Sequence, residues 1–320
     1  MPLSKTYLQP FSHKKILITG VLGFIGRTLA EQLLEYNPEI ELFGIDIKIF
    51  PNDKNAFKLK QLNYENLDIR NENAIKKYFS KHTFNGIIHL AAISRVVDAE
   101  HDKINCIKTN YKGTQFIIKE ASKSPQTWMI FASSREVYGE QNNFPISENM
   151  EKLPLNIYGF YKLLGENLIY TNISKYIILR FSNVYGNEYD IPDRVIPNFV
   201  QRAINGKSLI LEGGDQVIDF TYIDDTVNSI IKSMANLTEN KIQKEIIHIS
   251  PGKGTKITEI IDYLRDLGFQ FNIQRKPKRI YDVEKFIGNP AKRIQILGND
   301  EFIDVKEGLR RLVKRWASLK

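Results

Sequence analysis

Short apolar runs alternate, as far as Gly186, with stretches whose apolar side chains recur every three or four positions. After a polar leader of about fourteen residues, Lys15-Ile16-Leu17-Ile18-Thr19-Gly20 reads as a buried strand closed by glycine. Ile25, Leu29 and Leu33 fall at intervals of four and predict an amphipathic helix over 25–36, which Pro38 ends. Glu41-Leu42-Phe43-Gly44-Ile45-Asp46 then reads as a second strand, and a helical crossover of that length joins parallel strands. The alternation continues with a strand at 86–90, a helix over 110–121, a strand at 128–131, a helix over 158–170 and a strand at 176–181. It predicts an α/β fold with a doubly wound parallel sheet.

Beyond Gly186 the rhythm breaks. Pro192, Pro197, Gly206, Gly213 and Gly214 punctuate the chain, one more helix carries Val227, Ile230, Ile231 and Met234 after Asp224 and Asp225, and Ile246-Ile247-His248-Ile249 reads as a strand. The expected organisation is a larger domain over 1–185 to which 215–250 returns, and a smaller, mixed domain over 186–214 and 251–320. No internal repeat or low-complexity tract is visible.

The 320 residues suit about two domains, and 42% hydrophobic with 26% charged residues are globular values that exclude wholesale disorder. One cysteine, Cys106, excludes an intrachain disulfide and a cysteine-based zinc site, and reads as a small buried residue. No apolar run approaches the roughly 18 residues of a membrane span, and residues 1–15 lack the apolar segment of a secretory signal, so a soluble cytoplasmic protein is expected. The formal charge of +8 invites a nucleic-acid reading, but the clusters at Lys276, Lys278, Arg279 and at Arg310, Arg311, Lys314, Arg315 lack interleaved aromatics apart from Trp316. Solvated helix faces explain them, and no nucleic-acid partner is expected. His13, His82, His89, His101 and His248 show no metal-ligand spacing, and no metal is implied.

Thr19-Gly20-Val21-Leu22-Gly23-Phe24-Ile25-Gly26 sets three glycines between the first strand and first helix. Glycine permits the tight turn and the close approach of backbone N–H groups to a pyrophosphate, which the helix N-terminus also attracts. Asp46 stands 20 residues after Gly26, at the end of the second strand. A carboxylate there accepts from a ribose 2′-hydroxyl and repels a 2′-phosphate, so the cofactor expected is NAD rather than NADP. Tyr158 and Lys162, four residues apart, share one helical face. A tyrosine base needs its pKa near 10 lowered by about three, roughly 4 kcal/mol, and a cation about 4 Å away at an effective dielectric near 20 supplies about that. Ser134, at the end of the strand some 20 residues earlier, can donate to a carbonyl forming on a substrate.

These motifs, in this order and over nearly the whole chain, resemble the extended short-chain dehydrogenase/reductases, specifically the nucleotide-sugar epimerase and dehydratase group. The family's TGxxGFIG loop is Thr19–Gly26, its adenine-cradling Asp-Ile pair is similar to Asp68-Ile69, and its HLAA segment is His89-Leu90-Ala91-Ala92. Its Asn-x-x-Gly-Thr lies over 110–114, and its triad resembles Ser134, Tyr158 and Lys162. The resemblance implies a Rossmann domain holding NAD through Gly20, Gly23, Phe24, Ile25, Gly26, Asp46, Asp68, Ile69, Leu90, Ala91 and Ala92, with Tyr158 and Lys162 beside it. It also implies a nucleotide-sugar substrate, a UDP-sugar above all, contacted by Ser134, Arg135, Glu136 and Asn183, the last as a diphosphate contact in Arg180-Phe181-Ser182-Asn183-Val184-Tyr185-Gly186. A role in surface polysaccharide assembly comes with it, as does a homodimer built on the helices after Asn110 and around Tyr158, if Phe116, Ile117, Leu164 and Leu168 face outward rather than toward the sheet.

Two departures limit what the resemblance implies. Ile218 stands where the group commonly has a second diphosphate-binding arginine, so Arg279, helped by Arg194 or Lys253, is the expected replacement. Arg135 stands where the sugar 4,6-dehydratases have an acid, and arginine donates no proton near neutral pH, which disfavours dehydration. Glu136 then reads equally as a substrate contact or a structural partner. The function expected is an NAD-dependent 4-epimerase acting through a transient 4-keto sugar. Its alternatives are an oxidoreductase, decarboxylase or 4,6-dehydratase on the same fold, or a non-catalytic NAD-binding regulator, which has no need of Ser134, Tyr158 and Lys162.

Overall fold

In the computed structural model, which describes residue 7 and residues 9–51 and 56–318, six strands fall within the first part of the chain. They are β1 (Lys15–Thr19), β2 (Glu41–Asp46), β3 (Asn63–Asn66), β4 (Gly86–His89), β5 (Trp128–Ser134) and β6 (Tyr176–Phe181). With Lys244–Ile249 they form one parallel sheet in the order 244–249, β6, β5, β4, β1, β2, β3. The first residues of the polar leader lie outside the described residues.

β5 and β6 are buried along their whole length, which continuous apolar runs make possible. Alternate residues feed two cores. Ile16, Ile18, Ile88, Ile130 and Ile177 pack with Leu29 and Leu33 of α1 (Phe24–Tyr36) and with Ile230 and Ile231 of the Ile223–Thr238 helix. Leu17, Ile87, Met129 and Ile178 pack on the other face with Ile75 of α2 (Glu72–Lys81), with Ile117 and Ile118, and with Ile169 of the Ile157–Asn172 helix. Each such side chain contributes about 1.5–3 kcal/mol by leaving water. Ile117 therefore faces the sheet, against the outward placement a dimer interface requires, while Phe116, Leu164 and Leu168 are half-buried.

The helix expected over 110–121 is longer. Lys103–Cys106, a π-helical stretch Ile107–Gly113 and Thr114–Ala121 run on without a break. Past β6 lie three small sheets: Asn183–Tyr185 with Phe220–Tyr222, Leu209–Glu212 with Ile273–Lys276, and Val217–Ile218 between Thr255–Lys256 and Lys285–Phe286. Buried Asp219 draws the loops around them together by accepting from the N–H groups of Gly252 (3.0 Å), Lys253 (3.2 Å) and Gly288 (3.1 Å). The basic cluster near the C-terminus lies on the Val305–Ala317 helix, where Arg310 and Arg311 pair with Glu307, and Arg315 pairs with Glu188. Among the described residues no helix is long and apolar enough to cross a membrane, and no cluster of three or more His, Cys, Asp or Glu is placed to hold a metal ion.

Strand order reverses between β1 and β4, and the crevice at the carboxyl ends of strands opens at such a switch point.

Candidate active site

A cleft of about 710 Å³ occupies that crevice. Its cofactor-side wall begins at the β1–α1 turn. Gly20 has a φ of +72°, and a Cβ there would stand 2.8 Å from the Ala91 Cα, so both its backbone angle and its neighbour demand glycine. At Gly26 an added Cβ would collide with the Gly20 carbonyl oxygen. α1 starts with Gly23 at its N-cap and no side-chain cap, which leaves first-turn N–H groups for an anion. Glycines that leave room for no Cβ, an uncapped helix N-terminus and a carboxylate on the next strand fit a dinucleotide such as NAD.

Three motif segments are fastened together through one imidazole. Thr19 Oγ1 lies 2.6 Å from His89 Nδ1, and His89 Nε2 lies 2.9 Å from Thr114 Oγ1. Burial pushes the His89 pKa down to about 3, so the ring is neutral. Thr19 also accepts from the backbone N–H groups of Leu90 (3.1 Å) and Ala91 (3.2 Å). Asn110 brackets Ile93, accepting from its N–H (2.8 Å) and donating to its carbonyl (2.9 Å). The buried Asp46 carboxylate accepts from the N–H groups of Leu22 (2.9 Å) and Lys48 (3.0 Å) at the end of β2. Asp68 is clamped by Arg70, whose guanidinium holds its carboxyl below the ordinary range.

At the cleft floor, Ser134 ends β5 and Tyr158 lies in the first turn of the Ile157–Asn172 helix. Asn156 caps that helix by accepting from the Gly159 N–H (2.8 Å). Gly159 lets the helix approach the turn after β5, because a Cβ there would strike the Glu136 carbonyl. The Ser134 hydroxyl lies close enough to the Tyr158 phenol to lower its pKa. Lys162 Nζ donates to the Ala132 carbonyl (2.7 Å) and stands 5.8 Å from the centre of the Tyr158 ring. Burial sets both pKa values, pushing Tyr158 up to about 12 and Lys162 down to about 8. Burial thus works against the lowering that a tyrosine base needs. Desolvation of the phenol outweighs the help it receives from the Ser134 hydroxyl and the Arg194 charge.

Arg135 and Glu136 face each other across 2.8 Å, nine-tenths buried. Arg135 Nε donates to Asn183 Oδ1 (2.8 Å), and Asn156 Nδ2 donates to Glu136 Oε2 (2.7 Å). Farther out, Arg194 binds Asp190 (3.3 Å) and Ser94 Oγ (3.1 Å), and Arg279 binds Asp282 (2.8 Å). Every residue that the sequence nominates for cofactor, catalysis or substrate lies on this one cleft; Lys253, offered as an aid to Arg279, does not. Ile218 is buried away from it. The sequence reading missed Asn156, although an asparagine just before a helical run is a capping signal. It also missed Arg70 and Arg95 on the rim, for which no sequence signal exists.

Residues 16–249 match the NAD dependent epimerase/dehydratase family. The chain belongs to that family. Among its curated relatives, a putative UDP-glucose 4-epimerase of Methanocaldococcus jannaschii is 33% identical over 93% of this chain and 97% of its own. A UDP-N-acetyl-α-D-glucosaminuronate decarboxylase of Bacillus cytotoxicus is 32% identical over 79% of this chain and 80% of its own. Among solved structures of the fold, the UDP-glucuronic acid 4-epimerase of Bacillus cereus, in complex with UDP-glucuronic acid and NAD, superimposes with a TM-score of 0.85 at 26% identity, covering 96% of this chain and all of that one.

Proposed function

We propose that this member of the family is an NAD-dependent 4-epimerase of nucleotide sugars, UDP-sugars foremost. The observation that carries the reading is the convergence of Ser134, Tyr158 and Lys162 beside the glycine cradle at the floor of one cleft. NAD bound there supplies the hydride acceptor and donor for C4 of the sugar. Ser134 orients the C4 hydroxyl, and Tyr158 Oη takes its proton and returns it once the 4-keto sugar presents its other face. A phenol raised to about 12 holds its proton firmly, so the tyrosine depends on Lys162. An ammonium and a developing phenolate about 4 Å apart stabilise each other by roughly 4 kcal/mol at an effective dielectric of about 20. Pushed down to about 8, Lys162 gains its full charge from that approach.

Epimerisation is favoured over 4,6-dehydration because the acid position holds Arg135 and both Glu136 carboxylate oxygens are engaged, by Arg135 and by Asn156. Mass spectrometry after incubation with a panel of nucleotide sugars tests the assignment. A product of unchanged mass and inverted C4 is expected, and loss of water or of CO₂ overturns it.

The same reading assigns cofactor binding to 1–185 with 215–250, and sugar-nucleotide binding to 186–214 and 251–320, with Arg194 and Arg279 as the phosphate grips. It includes a homodimer, supported by Phe160 and Tyr170, 46% and 66% exposed on the Ile157–Asn172 helix, and light scattering at micromolar concentration decides it. The single thiol, buried Cys106, suits a cytoplasmic setting.

A further inference from the structure

Among the described cations lining the cleft, Arg135 has a buried nitrogen with no acceptor. Its side chain is only 9% exposed, its Nε donates to Asn183 (2.8 Å) and its Nη2 to Glu136 (2.8 Å), yet Nη1 is buried with no acceptor. Buried donors are ordinarily paired, and one left unpaired on a charged group carries its full desolvation cost. The Phe286 ring centre lies 5.8 Å from the guanidinium carbon, and Val137, Tyr138 and Ile146 pack around that ring, so the plane is fixed from behind. Neither placement that would make Arg135 unremarkable is found: it is not turned to solvent, and its ion pair is with Glu136 rather than Glu140. Arg135 directly follows Ser134, whose hydroxyl neighbours the Tyr158 phenol where C4 must react. On a hexose C6 is two bonds from C4, so a group beside the reacting pair reaches the C6 substituent.

We propose that Arg135 Nη1 receives a carboxylate at C6, so that the substrate class is a nucleotide-linked hexuronic acid rather than a neutral hexose; this rests on the 4-epimerase reading. A guanidinium presents two N–H groups on one nitrogen to an anion with charge assistance that a neutral hydroxyl lacks. Glu136 does not compete for them, since its oxygens are held by Arg135 Nη2 and Asn156. The Asn183 contact fixes the guanidinium's rotation, which makes Nη1 a preorganised donor for an anion.

The test compares UDP-glucuronate with UDP-glucose on the NAD-loaded enzyme, wild type, Arg135→Gln and Arg135→Gln/Glu136→Gln, the last removing both charges so that no carboxylate is stranded. Wild-type kcat/KM should favour the acid by about tenfold or more, and both variants should lose at least about tenfold on the acid and less than about threefold on the neutral sugar. Equal losses on the two sugars, or no wild-type preference, overturn the proposal. Affinities of the two nucleotides for NAD-loaded Tyr158→Phe, with and without Arg135→Gln, give an answer independent of turnover. Tighter binding of the acid that Arg135→Gln abolishes supports the carboxylate site, and equal affinities reject it. If neither sugar is inverted at C4, the 4-epimerase reading fails, and the affinities alone decide the role of Arg135.

Discussion

Ser133, near the end of β5, and Arg135, just beyond its end, belong to two buried arginine–glutamate pairs of opposite character. Ser133 hydrogen-bonds Glu166, which holds Arg180 in a fork with Nε at 2.9 Å and Nη2 at 2.6 Å, and Arg180 Nη1 is taken up by the Tyr138 hydroxyl and the Glu148 carbonyl. Two residues later Arg135 meets Glu136 through one nitrogen and leaves another unmatched. The first pair is closed by the protein and behaves as structure. The second, which lines the cleft, keeps one buried donor that the protein does not match. What separates them is the count of acceptors against donors, since burial is similar.

Stability gives the largest contrast. Arg180→Met strands the Glu166 carboxylate in the core and should cost about 3–5 kcal/mol, seen as a lower urea midpoint. Arg135→Gln, which keeps an amide able to donate to Glu136 and removes an unmatched donor, should cost only about 1–2 kcal/mol. Equal costs would erase the distinction between the two pairs.

Between them sits Ser134 with Tyr158, and Tyr158→Phe should lower kcat by about 10² or more while leaving the urea midpoint and NAD affinity close to wild type. Undiminished turnover would remove Tyr158 as the proton carrier. On the far wall, Asp46→Ala should narrow the preference for NAD over NADP by about tenfold, the scale of a hydrogen bond to a charged group, as measured by titration with each dinucleotide. A protein that prefers NADP from the outset would contradict the cofactor assignment.

The smallest effect is a pH dependence. Lys162 titrates near 8 when folded, against about 10.5 unfolded, so between those values the unfolded chain binds more protons and stability rises with pH. Tyr158 titrates near 12 when folded, against 10, and takes stability away above pH 10. Wild type should therefore gain stability from pH 8 to 10 relative to Lys162→Met, and parallel denaturation curves for the two proteins across that range would refute the buried ammonium.

What was legible in the sequence follows from the same accounting. Strands buried on both faces announce themselves as apolar runs, and the glycine turn and the Tyr158–Lys162 spacing are local patterns. β3 escaped because Asn63-Tyr64-Glu65-Asn66 is a polar edge strand with one neighbour. The clamp of Arg70 on Asp68 and the bridging of Thr19 to Thr114 by His89 escaped because they depend on how rotamers and remote segments meet. Burial raises the Tyr158 phenol, and spacing shows the neighbouring cation but says nothing of how dry the site is.

The turn after β5 is capped by Ser134, whose Oγ accepts from the Glu136 N–H (3.2 Å), and residues 135–137 complete one 3₁₀ turn. Such a turn works as a socket. Side chains at 135 and 136 project from a turn anchored at Ser134, so acid can replace cation or amide replace base beside the C4 chemistry as long as Asn156 keeps its helix cap, and a single oxidation step can be joined to a different second reaction by two substitutions.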